Sequence, residues 1–361
     1  MNTGWLTIPH CPLPDVRRIL VLRPNAIGDF VFALPALHAL RHTYPDARIV
    51  YLGLQWHWAF LRHRPGPVDE VLAMPPFPGI TDVPDTVIEP EATRFVAALR
   101  GMQFDLAMQM YGGGRHSNPF VQELGARTTI GMKAADATPL DRWIPYGALA
   151  NRRLELLQVA ALAGAAPPWM ERELQATDEE RRLAAALLPP SPGERIVVIH
   201  PGASDARRRW PPQRFAAVAD ALAAKGATIV LSAAGPEAPL AQAIKSHMRH
   251  AALDPGERLS LPALCGLLER ATMMVANDTG PLHLALALGT PAVGIFWLSN
   301  LVESGPLRPQ LLRAALSATV RCPVCGMENR RTRCAHDACF VADVATEDVL
   351  GLALPWFDEL A

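Results

Sequence analysis

The chain has 361 residues, enough for two domains of ordinary size, and its composition (half hydrophobic, 19% charged) excludes a disordered polymer. A net charge of −1 gives no overall electrostatic reason to expect nucleic acid; the basic groups at Arg207-Arg208-Arg209 and at Arg330, Arg331 and Arg333 are local. No charged segment followed by an apolar one opens the chain, and the most apolar long window, 281–298, is interrupted by His283, prolines and glycines, so a cytoplasmic protein with at most peripheral membrane contact is expected.

In chain order, strand-like and helix-like segments alternate. Residues 18–22 predict a strand and 29–43 a helix with apolar residues at helical spacing. Between them lies Arg23-Pro24-Asn25-Ala26-Ile27-Gly28-Asp29. Gly28 suits a tight turn, and Asp29 opens the helix, where the N-terminal dipole favours a charged carboxylate. A carboxylate so placed can take a proton from an attacking hydroxyl, or simply cap the helix. The second and third glycines of G-x-G-x-x-G are missing, which argues against a dinucleotide site. A strand over 48–54, a short helix over 57–64, a strand over 68–74, a helix over 91–102 and a strand over 105–110 follow. The last runs into Gly112-Gly113-Gly114-Arg115-His116-Ser117. Its glycines permit close approach of backbone to a ligand and Arg115 suits an anionic acceptor; a plain surface loop is the other reading. A helix over 119–125, a strand over 128–132 and a helix over 151–164 complete a rhythm that implies a mostly parallel sheet covered by helices.

A proline-rich stretch at 169–193, holding one helix over 178–188, reads as a linker after an N-terminal domain of residues 1–168. The rhythm restarts in a second domain over 194–340: strand 195–200, helix 212–225, strand 228–233, helices 239–248 and 262–270, strand 273–276, helix 282–288 and strand 292–296, with a terminal helix in 341–361. Two Rossmann-like halves separated by a cleft are expected, without a convincing internal repeat.

Three turns in the second half carry candidate chemistry. His200-Pro201-Gly202-Ala203-Ser204-Asp205-Ala206-Arg207-Arg208-Arg209-Trp210-Pro211 places small residues and guanidinium groups at a strand end, which suits a pyrophosphate. Gly235-Pro236-Glu237 sets a carboxylate just past a strand, for ribose hydroxyls or as a helix cap. Asn277-Asp278-Thr279-Gly280-Pro281-Leu282-His283 joins a buried strand to an apolar helix, with Pro281 in the first turn, where a missing N–H is tolerated. Open α/β sheets bind ligands at such strand ends, and unpaired helix N–H groups favour phosphate. Asp278 would repel a phosphate, so its expected partner is a hydroxyl or other donor of the ligand; an ordinary N-cap is the bland alternative.

This ordered set resembles glycosyltransferase family 9, the ADP-heptose:lipopolysaccharide heptosyltransferases and their relatives, over about residues 18–350. The resemblance implies an α/β protein of the GT-B fold, two Rossmann-like domains facing a central cleft. It implies Asp29 as catalytic base and a nucleotide-sugar site built from Gly28, Ser204, Arg208, Glu237, Asp278, Thr279, Gly280 and His283. Arg208 stands where the family usually has lysine; the charge is kept while the geometry differs. Inverting transfer of a heptose from ADP-heptose to a glycolipid or protein hydroxyl is implied, without a catalytic metal and without nucleic acid. Another nucleotide-sugar donor, an epimerase-like reaction, and a weakly catalytic binding protein are the alternatives.

Cys322-x2-Cys325-x8-Cys334-x4-Cys339 has the look of a four-thiolate site for structural zinc or iron, with His336 a substitute ligand; four reduced thiols are the other reading. Some family members carry a similar group, and iron is implicated in related autotransporter heptosyltransferases. Cys11 and Cys265 read as ordinary thiols.

Overall fold

The computed structural model describes residues 11–81, 90–147, 149–329 and 333–360, so Arg330, Arg331 and the opening ten residues lie outside it. It divides into two compact units, Met1–Met170 and Glu171–Ala361. Among the described residues no helix is long and apolar enough to cross a membrane.

The first unit contains β1 (Arg18–Leu22), α1 (Ile27–Thr43), β2 (Arg48–Gly53), α2 (Gln55–Leu61), β3 (Glu70–Ala73), α3 (Pro90–Gly101), β4 (Leu106–Gln109), α4 (Ser117–Glu123), β5 (Thr128–Lys133), β6 (Arg142–Pro145) and α5 (Arg152–Ala161). Its six strands run parallel in the order β3-β2-β1-β4-β5-β6. Ile19 to Leu22 and all of β4 are buried, as strands covered on both faces must be. The order reverses between β1 and β4, so the crevice outside their carboxyl ends is where this architecture takes ligands.

The second unit contains α6 (Asp178–Leu187), β7 (Ile196–His200), α7 (Pro212–Ala224), β8 (Thr228–Leu231), α8 (Ala238–His247), α9 (Leu261–Arg270), β9 (Met273–Asn277), α10 (Gly280–Leu288), β10 (Ala292–Trp297), α11 (Leu298–Ser304), β11 (Leu312–Ser317) and α12 (Thr346–Glu359). Its five parallel strands follow the order β11-β10-β9-β7-β8, with the reversal between β7 and β9. The two sheets share the same order around their reversals, and the first adds one edge strand, β3. Helix α6, in the stretch read as a linker, begins with a reciprocal cap between Thr177 and Glu180 and is tied to α9 by an Arg181–Glu269 ion pair of 2.7 Å.

Three elements escape the sequence pattern. β6 is a half-exposed edge strand of the first sheet ending in proline, β11 is an alanine-containing edge strand of the second sheet, and α11 is a seven-residue helix directly behind β10. None carries an alternating or helical apolar period long enough to declare itself.

Candidate active site

In the first unit the site grows from the ends of β1 and β4. Helix α1 starts at Ile27, so Gly28 lies inside its first turn, directly before Asp29, and not in the tight turn expected there. Asp29 does not cap the helix: Ala26 is the N-cap and has no side-chain bond. Instead Arg23 holds it, donating from Nε to the Asp29 carbonyl at 2.7 Å and from Nη2 to Oδ1 at 3.3 Å. A third Arg23 donor reaches the Met110 carbonyl at the end of β4, and its own carbonyl accepts from the Tyr51 hydroxyl at 2.7 Å. Burial pulls the Arg23 pKa below its ordinary value, with Asp29 opposing. One guanidinium thus joins both sides of the strand-order reversal and fixes the carboxylate between them.

Asp29 opens onto a pocket of about 350 Å³ lined also by Arg23, Asn25, Gly112 to His116, Tyr146 and Arg152. The glycine turn is therefore part of the pocket wall. Gly112 and Gly114 have φ of 58° and 89°, a region that disfavours side chains, and a Cβ on Gly114 would strike the buried Asn118 amide. Gln109 braces the same turn from below, donating to Ser117 Oγ at 2.8 Å and accepting from Met132 N–H at 2.9 Å. Arg115 at the rim pairs with Asp136 at 3.5 Å.

In the second unit the turns after β7 and β9 meet. The Asn277 side chain accepts from Trp210 N–H at 3.1 Å and donates to the Pro201 carbonyl at 2.7 Å, locking the two together. Asp278 is buried, and its oxygens take four donors of the protein: His283 Nε2 at 3.0 Å, Ser304 Oγ at 3.0 Å, Asn300 Nδ2 at 2.7 Å and Arg208 Nη1 at 3.2 Å. Burial alone would raise this carboxyl's pKa. The His283 and Asn300 hydrogen bonds and the Arg208 charge outweigh it and hold the group far below the usual carboxylate range. The carboxylate expected to face a ligand donor is thus spent on organising Arg208 and His283. Thr279 is the N-cap of α10 but makes no side-chain capping bond, and the Asp278 oxygens are taken by side chains, so the N-cap alternative does not account for the motif.

Arg208 also donates to the Asp278 carbonyl at 3.0 Å and to the exposed Ser204 hydroxyl at 2.8 Å. Thr279 and Gly280, half-buried, present the start of α10 beside it. Glu237, half-buried in a single helical turn after β8, lies against Gly202, where a Cβ would fall 2.2 Å from the carboxylate; only glycine leaves room. His200 donates from Nδ1 to the Ser232 carbonyl at 2.5 Å and turns Nε2 toward Glu237 at 3.8 Å. Burial lowers the His200 pKa more than Glu237 raises it, so the ring is neutral near pH 7. Asn300 and Ser304 were missed from sequence; their only signal is a pair of short polar residues four apart, one helical turn on one face, just behind β10.

The cysteine group differs from the expectation. Ligand atoms of Cys322, Cys325, Cys334 and His336 all lie within 4.8 Å of one another, while Cys339 stands apart. The reason is that Phe340 N–H bonds the Arg207 carbonyl at 2.8 Å and the Phe340 ring packs on Trp297, which turns the Cys339 thiol onto the Arg209 carbonyl at 3.1 Å. A tetrahedral ion with sulfur ligands needs S–S separations of about 3.8 Å, which this cluster can close to. Val324 N–H points at Cys322 Sγ at 3.4 Å, and Gly326 takes a φ of 73° right after Cys325, so the backbone wraps the sulfurs as a metal knuckle does. Hydrogen bonding with the His336 backbone draws the Cys334 pKa below its ordinary value, toward the thiolate that metals bind. The four residues can bind a metal.

Comparison with known proteins agrees with this frame. Residues 92–333 match the model of glycosyltransferase family 9 (heptosyltransferase). Lipopolysaccharide heptosyltransferase 2 of Salmonella typhimurium is 25% identical, over 80% of this chain and 85% of its own length. Among solved structures, a glycosyl transferase family 9 protein of Veillonella parvula matches with a TM-score of 0.77 and 17% identity, covering 97% of this chain and all of that one. The E. coli ADP-heptose LPS heptosyltransferase II matches with a TM-score of 0.73 and 18% identity over 95% of this chain and 99% of that one. The fold is of the GT-B type, and the chain belongs to glycosyltransferase family 9.

Proposed function

We propose that this family 9 glycosyltransferase moves a heptose from ADP-heptose to a hydroxyl of the lipopolysaccharide core, or of a related glycan or protein, by inverting displacement without a catalytic metal. The observation that carries the reading is the Asp29 carboxylate, half-exposed on the wall of a pocket large enough for a sugar and gripped from behind by buried Arg23. Asp29 takes the proton of the acceptor hydroxyl as it attacks the anomeric carbon. The leaving diphosphate is met by Arg208, Ser204 and the N–H groups opening α10 at Thr279 and Gly280. Fixed positive charge aimed at developing negative charge is the largest catalytic term expected. Asp278 and His283 set this half of the site, Asp278 by positioning Arg208, and Glu237 takes the hydroxyls of the donor's nucleoside. Gly28 keeps the first turn of α1 small beside the base.

A zinc or iron ion at Cys322, Cys325, Cys334 and His336 would act as a structural staple, since four protein ligands leave no open position for chemistry. The protein works in the cytoplasm, with at most peripheral contact to the membrane that carries a glycolipid acceptor.

A thermal-shift panel of nucleotide sugars tests the donor. ADP and ADP-heptose should raise the Tm, while UDP- and GDP-sugars should not; at a hundredfold excess over Kd the stabilisation amounts to about 2.7 kcal/mol. A UDP- or GDP-sugar stabilising in place of ADP overturns the donor assignment. Elemental analysis of the purified protein reads the metal.

A further inference from the structure

Behind the turn that carries Arg208, a second guanidinium points the other way. Arg207 is buried and faces the cysteine segment: it donates to Asp205 through Nε at 3.0 Å and Nη2 at 2.6 Å, and its guanidinium lies 5.8 Å from the Trp297 ring and 5.7 Å from that of Phe340. Its remaining nitrogen, Nη1, donates to Asn329 Oδ1 at 3.0 Å. The same oxygen accepts the N–H of Cys334 at 3.1 Å.

Asn329 is itself fixed by the knuckle. Its backbone N–H bonds the Val320 carbonyl at 3.0 Å and its Nδ2 bonds the Met327 carbonyl at 2.8 Å, while the Met327 carbonyl also accepts from Cys322 N–H at 2.8 Å. A short bonded path thus leads from two of the candidate metal ligands, Cys322 and Cys334, through one buried amide to Arg207. Arg208 is its covalent neighbour. Because Arg208 leaves the turn toward Ser204 and Asp278, a shift of Arg207 is felt at the groups assigned to the donor diphosphate.

We infer that Asn329 is a positioning residue for nucleotide binding: it couples the Cys322, Cys325, Cys334 and His336 knuckle to Arg208, so that an ion in the knuckle and a nucleoside diphosphate at Arg208 favour one another. The inference rests on the reading of this half as the donor site. Coupling of this kind is reciprocal, so it can be measured from either end.

The test uses the full chain loaded with zinc, with ADP as the probe. In Asn329→Ala, zinc content should stay at one ion per chain while ADP affinity in calorimetry falls by about fivefold to tenfold, the lower range of typical site-to-site coupling. Donor KM should rise in step, with kcat and acceptor KM unmoved. Asn329→Asp, which keeps the shared acceptor oxygen, should restore most of the affinity. On the unaltered protein, saturating ADP should slow zinc release to a colorimetric chelator by a similar factor, a measurement that needs no variant to fold. Unchanged ADP affinity in a folded, zinc-loaded Asn329→Ala protein overturns the coupling, as does zinc release indifferent to ADP. Failure of the unaltered protein to bind ADP instead overturns the donor reading itself.

Discussion

Asp29 and Asp278 each follow an inner strand of a parallel sheet, beside the point where strand order reverses, at the beginning of a helix. The Asp29 side chain is 41% exposed and, among the described residues, pairs with Arg23; the Asp278 side chain is 3% exposed and takes four donors. A carboxylate acting as a base needs a lone pair within reach of substrate; Asp29 lines a pocket, whereas the Asp278 oxygens are taken up by the donors around them. The second has exchanged reactivity for order. Place in the fold nominates both residues, while the surrounding donors set them apart.

The sharpest way to break this comparison is Asp29→Asn. If Asp29 is the base, kcat falls by about 10²–10⁴-fold, while ADP affinity and Tm stay unchanged. Full turnover in a transfer assay would remove Asp29 from the chemistry. Asp278→Ala should do the reverse of what Asp29→Asn does to the fold. It leaves Arg208 without its buried counter-charge and costs about 3–5 kcal/mol in chemical denaturation, with nucleotide affinity lost alongside.

Acid probes the Asp278 half further. The folded pKa of Asp278 is lowered, so its contribution to stability is complete above the ordinary carboxylate range and is lost as pH falls below about 4 toward the depressed value. Asp278→Asn should flatten the acid limb of the stability–pH curve below about pH 4. A smaller effect is expected from Arg23→Lys, which keeps the charge but cannot make three separate contacts; kcat should drop about tenfold with ADP affinity intact, as small misplacements of catalytic groups do. Smallest is Arg208→Lys, which keeps the charge with one donor group instead of a fork. Losing the arm to the exposed Ser204 hydroxyl should change donor KM by roughly threefold, the scale of one exposed charge-assisted bond.

The sequence pattern located the strand ends correctly because short apolar runs and the glycines, prolines and acids that punctuate them are local signals. From Arg23 to Asp29 and from Asn277 to His283, motif and context lie within a dozen residues. What stayed hidden is what the chain brings together from afar. Asn300 and Ser304 reach Asp278 only because α11 returns behind β10, and nothing in seven residues announces that helix. The replacement of Cys339 by His336 is of the same kind: spacing offered both, and the choice follows from Phe340 being buried against Trp297. Arg23 was visible as the first residue of its motif, but its grip on β4 is a contact across 87 positions.

The Arg207–Trp210 turn has a consequence in time as well as in space. Trp210 donates its indole N–H to the Val344 carbonyl, and Arg214 bonds the carbonyls of both Ala342 and Val344. These partners are synthesised some 134 positions after Trp210, a delay of roughly 7–27 s at 5–20 residues per second. The first unit, whose named contacts close within Met1–Met170, can complete its sheet on the ribosome long before then. The bracing of the Arg207–Trp210 turn is therefore completed late in translation. A nascent chain stalled before residue 342 would carry a finished pocket around Asp29 and an unbraced turn at Arg208.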